Sequence, residues 1–123
     1  MNKSKEPLLI NRLKSVKYAF KGAVILIWTE SSVQIQFVIA ILMTIAGFYF
    51  QISTMEWIAQ ILCIGLIMSI EGLNTAVEKI SDFVHPDYHK LIGRIKDVSA
   101  GAVFFAAITA IVIGSIIYFP KIF

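Results

Sequence analysis

Four polar residues interrupt a hydrophobic run in the stretch MSIEGLNTAVEKISDF, residues 68–83: Glu71, Asn74, Glu78 and Asp82. On a helix advancing 100° per residue they fall within about 80° of one another. Glu71 and Glu78 are then about 10.5 Å apart along the axis. One face carries a carboxylate, an amide one turn on, and a second carboxylate beyond. An acid at the centre of a membrane helix costs roughly 2.5–3.5 kcal/mol on insertion scales, and less near the interface. Folding does not require that cost, so such a carboxylate is read first as a functional group. A solvated helix end starting near Ser69 would account for Glu78 and Asp82 as plain surface acids. It suits Glu71 and Asn74 less well, because Leu73 and Val77 carry the apolar face onward.

A desolvated carboxylate at Glu71 is suited to act as a general base. A companion acid within reach could hold a divalent cation. Mg²⁺ takes oxygen ligands, commonly one or two carboxylates with phosphate oxygens. Glu78 is one candidate and Glu30 another, although Glu30 alone reads as a surface residue between helices. The stretch HPDYHKLIGRIKDVSAG, residues 85–101, adds Lys96 and Asp97 where the third hydrophobic segment begins. A helix N-terminus there would favour anions through its free N–H groups and its dipole. The plainer readings are an N-cap for Asp97 and a membrane-flanking cation for Lys96. His85 and His89 read as loop residues, since two histidines alone show no metal spacing. Neither GxxxxGK[ST] nor GxGxxG occurs, so a nucleotide would be held without the common phosphate loops.

The elements that must position these groups are membrane helices. Hydrophobic residues make up 58% of the 123 residues and charged ones 15%. Soluble domains run at about 45–50% apolar and about 25% charged. The mean hydropathy of +0.80 agrees with a small integral membrane protein. A bilayer core of about 30 Å needs about 20 helical residues. Three segments qualify, residues 32–51, 57–77 and 98–119. The short link QISTME, residues 51–56, makes the first two a tight hairpin, and Pro120 is expected to stop the third helix. Ahead of them, residues 8–29 repeat Leu9, Leu13, Val16, Phe20, Val24 and Ile27 at steps of three or four. Arg12, Lys17 and Lys21 fall largely on the other side. That is an amphipathic helix suited to the headgroup layer. Lys3 and Lys5 lead into this stretch and not into a cleavable signal. Cys63, the single cysteine, reads as a buried thiol in helix packing.

Lysine and arginine cluster before the first span and between the second and third, where Lys79, Lys90, Arg94 and Lys96 stand. The positive-inside rule puts both regions, and hence the N-terminus, in the cytoplasm. Ala102, Ala106, Ala110 and Gly114 form a ladder of small residues on the third span, which suits close helix approach and a homo-oligomer. The whole is one domain, residues 1–123. The residues leave open an enzyme acting on a lipid headgroup, a small proton- or ion-coupled transporter using Glu71, and a structural subunit. Acids at the membrane edge lean toward the enzyme, because transporter sites usually lie near the midplane.

The pattern EGLNTAVEKISD, together with the later YHKLIGRIKDVSAGAV, resembles the prokaryotic diacylglycerol kinase and undecaprenol kinase family. YAFKGA followed by Glu30, and the spacing of the spans, extend the resemblance over nearly the whole chain. It implies an all-α membrane protein of three transmembrane helices and an interfacial N-terminal helix. It further implies a homotrimer in the bacterial cytoplasmic membrane. The implied activity is transfer of the ATP γ-phosphate to a lipid hydroxyl with Mg²⁺, and no nucleic acid is involved. Residue by residue, Glu71 matches the general base and Asn74 the amide supporting it. Glu30 and Glu78 match the metal-binding acids. Lys96 and Asp97 match a nucleotide-contacting pair, and Tyr18, Asp87, Tyr88 and His89 match further nucleotide contacts. The family's N-terminal arginine aligns with Asn11, and Arg12 stands one place later as the candidate for its role. The residues EW (56–57), NTA (74–76) and FPK (119–121) look more like the undecaprenol kinase branch.

Overall fold

The computed structural model describes residues 7–123 as four helices: α1 (Leu8–Thr29), α2 (Ser31–Tyr49), α3 (Thr54–Val84) and α4 (Lys90–Ile122). Lys3 and Lys5 lie outside the described residues. Three helices, α2, α3 and α4, are long and apolar enough to cross a membrane. The expected architecture is therefore present, and α1 coincides with the predicted amphipathic segment. No residue of α1 is buried within the chain, and Leu9, Leu13, Val16 and Phe20 are all exposed. An apolar face without a partner in its own fold suits a helix lying in a headgroup layer.

The spanning helices differ in length for a physical reason. With 19 residues, α2 measures about 28 Å, close to the hydrocarbon thickness. With 31 and 33 residues, α3 and α4 reach about 46 and 50 Å and must project beyond it. Periodic apolar segments predict only the part inside the bilayer. The structure adds a polar extension carrying Glu78 and Asp82 on α3 and Lys90 to Asp97 on α4. Pro86 limits α3, since the residue before a proline avoids the α region and His85 is extended (φ −145°, ψ 88°).

At the opposite end, α2 and α3 close as the expected hairpin. Gln51 takes a positive φ of 52°, and Ser53 and Glu56 form a capping box that starts α3. The other Glu56 oxygen receives Lys121 Nζ at 2.9 Å, which ties the start of α3 to the end of α4. Pro120 does not stop α4, contrary to expectation: the helix continues to Ile122. A proline so near the end forfeits one bond in the final turn, and the Phe123 N–H still reaches the Phe119 carbonyl at 2.9 Å.

The packed core is small and sits near this hairpin end. Ile52, Ile117 and Tyr118 are buried against Met43, Phe50 and Trp57. Gly47 lies under the Trp57 indole, where an added Cβ would come within 2.6 Å of Cη2. Deeper along α3, Gln60 donates to the Met43 carbonyl at 3.0 Å and accepts from the Tyr118 hydroxyl at 2.6 Å. Three helices are thus joined through one buried amide. Beside this clamp runs an apolar groove of about 580 Å³ lined by α2, α3 and α4. Cys63 is half-buried on the groove wall and not enclosed in packing. In the small-residue ladder, Ala106 is buried within the chain, while Ala110 and Gly114 line the groove.

Candidate functional site

The charged ends of α3 and α4, with the α1–α2 corner, bring the polar residues together. Glu71 lies about 25 Å along α3 from Thr54, just inside the far edge of a 30 Å core. It is buried, with 6% of its surface exposed, although it is a carboxylate. No hydrogen bond or ion pair engages it among the described residues. Its neighbour Gly72 meets Leu26 of α1, whose Cδ1 would stand 3.0 Å from an added Cβ. The C-terminal end of the surface helix therefore packs against α3 at the residue after Glu71.

One turn on, Asn74 Nδ2 donates to Glu78 Oε1 at 3.0 Å. The other amide atom, Oδ1, is buried and has no partner among the described residues. A buried polar atom left unpaired costs about 1–3 kcal/mol. Such an atom is an acceptor that a donor or a cation could satisfy.

Glu30 comes from a different element. It is the single non-helical residue between α1 and α2, extended at φ −107° and ψ 115°. Its N–H bonds the Leu26 carbonyl at 3.1 Å and its carbonyl accepts from Gln34 at 3.0 Å. The corner is thus fixed from both sides. Its carboxylate reaches α3, where Lys79 Nζ lies 3.2 Å from Oε1.

A second ion pair crosses from α4 to α3, with Lys96 Nζ 2.5 Å from Asp82 Oδ1. Lys96 and Asp97 stand about two turns into α4, not at its start, because the helix begins at Lys90. Asp97 therefore is not an N-cap. That position belongs to His89, whose Nδ1 accepts from the Leu91 N–H at 3.0 Å. Asp87 and Tyr88 are exposed in the loop before it, and the Tyr88 ring lies against Gly93. Arg12 and Tyr18 are exposed on α1 and share no hydrogen bond or ion pair with α3 or α4. The single chain thus brings Glu71, Asn74, Glu78 and Glu30 to one end, but it does not join Arg12 and Tyr18 to them. Among the described residues no three His, Cys, Asp or Glu side chains are grouped to hold a metal unaided.

Comparison with known proteins decides the kind of molecule this is. A family model described as prokaryotic diacylglycerol kinase matches residues 17–118. The chain belongs to that family. An undecaprenol kinase of Bacillus subtilis (strain 168) is 36% identical over 118 residues, covering 92% of this chain and 93% of the relative. A diacylglycerol kinase of Haemophilus influenzae is 31% identical over 112 residues, covering 90% and 95%. One from Escherichia coli (strain K12) is 28% identical over 100 residues, covering 81% and 82%.

This member of the prokaryotic diacylglycerol kinase family is therefore a lipid kinase and a membrane protein. Two residues of the charged end were not singled out for the site by sequence. Lys79 looked like one more membrane-flanking cation, yet it holds Glu30. Asp82 looked like the tail of the acidic stripe, yet it holds Lys96. Their pairing depends on which helices adjoin, and no local pattern announces that.

Proposed function

We propose that this lipid kinase transfers the γ-phosphate of ATP to a membrane lipid hydroxyl, at the cytoplasmic edge of the bacterial inner membrane, with Mg²⁺. Undecaprenol is the lipid we favour over diacylglycerol. The observation that carries the reading is Glu71, an acidic residue only 6% exposed in an apolar helix, one turn from the buried Asn74 Oδ1, which has no partner among the described residues. A lipid anchored in the bilayer presents its hydroxyl at that depth, and a soluble phosphate donor can approach the same point from the adjoining aqueous side.

The residues fit the metal. Glu30 and Glu78 supply carboxylate oxygens and Asn74 an amide oxygen, all hard donors of the kind Mg²⁺ takes. Two carboxylates do not fill its coordination, which leaves places for phosphate oxygens and water. Held there, Mg²⁺ would neutralise charge on the transferring phosphoryl group.

Glu71 accepts the hydroxyl proton as the lipid oxygen attacks. Asn74 orients Glu78 through its Nδ2 and presents Oδ1 to the site. Lys96 turns from Asp82 to a phosphate oxygen, and Asp97 lies beside it on the nucleotide. Tyr18 and Arg12 on α1, with Asp87, Tyr88 and His89 in the loop, complete the nucleotide contacts. In a homotrimer a neighbouring copy can supply the α1 groups that the single chain leaves apart. Lipid preference rests on the similarity to the Bacillus subtilis relative and on the EW, NTA and FPK residues.

The test is transfer of radiolabelled phosphate from ATP by purified protein in mixed micelles. Undecaprenol and diacylglycerol are offered separately, with and without Mg²⁺. Label in undecaprenol, faster than in diacylglycerol and lost without Mg²⁺, is the expected result. A faster rate on diacylglycerol would reverse the lipid assignment. No label in either, from folded protein, would favour ion or proton flux through Glu71, to be measured in liposomes without ATP.

A further inference from the structure

Glu30 is the one acid of the candidate metal pair that already holds a cation. Lys79 Nζ lies 3.2 Å from its Oε1. Lys79 follows Glu78 in α3, so the cation holding Glu30 and the acid that would share a metal with it come from adjacent positions. The two sides of this pair are unequally free. The Glu30 side chain is 24% exposed and fixed at the α1–α2 corner, whereas the Lys79 side chain is 69% exposed. The lysine can swing into water at little cost, and the acid cannot follow it. Among the described residues Glu78 has no ion pair and takes only the Asn74 amide. The other nearby lysine, Lys96, is engaged by Asp82.

We infer that Lys79 is a displaceable counter-cation, which holds Glu30 until the metal arrives and so sets the metal concentration at which the site assembles. The inference rests on the reading of Glu30 and Glu78 as the metal-binding acids. An ammonium group and a divalent cation compete for the same carboxylate, and their like charges repel at such range. A half-exposed ion pair is weak, so it yields readily when the metal comes with its nucleotide. Without the metal, the pair keeps the Glu30 carboxylate directed toward α3. Lys79 is thus a positioning residue and touches no reacting atom.

The test measures metal binding without turnover. Purified full-length protein in detergent micelles is given a non-hydrolysable ATP analogue and no lipid. Mn²⁺, standing in for Mg²⁺, is titrated and read by the electron paramagnetic resonance signal of the free ion. Lys79→Gln is expected to bind Mn²⁺ about two- to fivefold more tightly, the range that loss of a weak ion pair allows. Lys79→Arg is expected to match wild type. In a Glu30→Gln background, where the competed group is gone, Lys79→Gln is expected to change nothing further. Unchanged or weaker Mn²⁺ binding by Lys79→Gln would overturn the inference, weaker binding marking Lys79 as a phosphate contact. An equal gain in the Glu30→Gln background would also overturn it, leaving general electrostatics as the cause. The two readings fail separately. If Glu30→Gln alone leaves Mn²⁺ binding intact, the metal assignment of Glu30 falls and the inference with it. If Glu30→Gln weakens binding while Lys79→Gln is silent, only the role of Lys79 falls.

Discussion

Glu71 is an acid only 6% exposed, with no hydrogen bond or ion pair among the described residues, at a position that folding could have filled with leucine. Its presence is understandable if the chemistry needs a base at that depth. Glu71→Gln keeps the shape and removes the base. It is expected to leave an inserted, folded protein with phosphate transfer reduced at least about 100-fold, the lower range for general bases. The radiolabel assay, with circular dichroism as the control for folding, checks this; near-normal turnover would remove Glu71 from the role. Glu78 is placed differently, held by Asn74 and exposed. Glu78→Gln is expected to move the half-saturating Mg²⁺ concentration upward, and an unchanged Mg²⁺ titration would take it out of the metal site. The identity of these acids was legible from residue type and 100° spacing alone. The partner of Glu30 was not, because it depends on a corner of backbone meeting a helix 49 positions later in the chain.

The helices divide their work along their length. At the hairpin end, packing and hydrogen bonds fix the register of α2, α3 and α4, and that register carries through rigid helices to the charged end. The Gln60 amide is the joint where all three meet. Tyr118→Phe deletes the hydroxyl that donates to Gln60 Oε1 and leaves that oxygen unpaired. Hydrogen bonds between membrane helices average about 0.6 kcal/mol and reach about 1.7 kcal/mol. A loss of stability in that range is expected in denaturation from detergent micelles. Turnover at low temperature should hold, because Tyr118 lies about three turns beyond the groups that react. The hairpin and the surface helix were foreseeable from a short polar link and from apolar residues at three- and four-step spacing. The lengths of α3 and α4 were not. Hydropathy reports where a helix is greasy, and the projecting turns of both helices are polar enough to have read as loop. For that reason Lys96 and Asp97 looked like a helix start.

Much of the molecule is unfinished as a single chain. Large apolar side chains cover α2 and α4, a groove of about 580 Å³ stands open between the helices, and Arg12 and Tyr18 lie apart from the acids. Lipid can cover the first, and in the proposed reading a neighbouring copy brings Arg12 and Tyr18 to the site. A homotrimer is expected, with a mass by native mass spectrometry from detergent three times the 13.7 kDa of the chain. A monomeric mass that retains full transfer activity would show that one chain suffices.

Sequence by itself determined that this is a membrane protein of three spans with an interfacial helix, because burial in hydrocarbon forces long uncharged segments and exempts little else. It also determined which carboxylates are out of place, since an acid in such a segment stands out by type. The tertiary structure decided which charges answer one another. Glu30 meets Lys79 and Lys96 meets Asp82 because a one-residue corner and a five-residue loop bring separate helices side by side. It also decided that Asn74 offers an oxygen with no partner among the described residues, which follows from packing around that atom and not from its position in the chain.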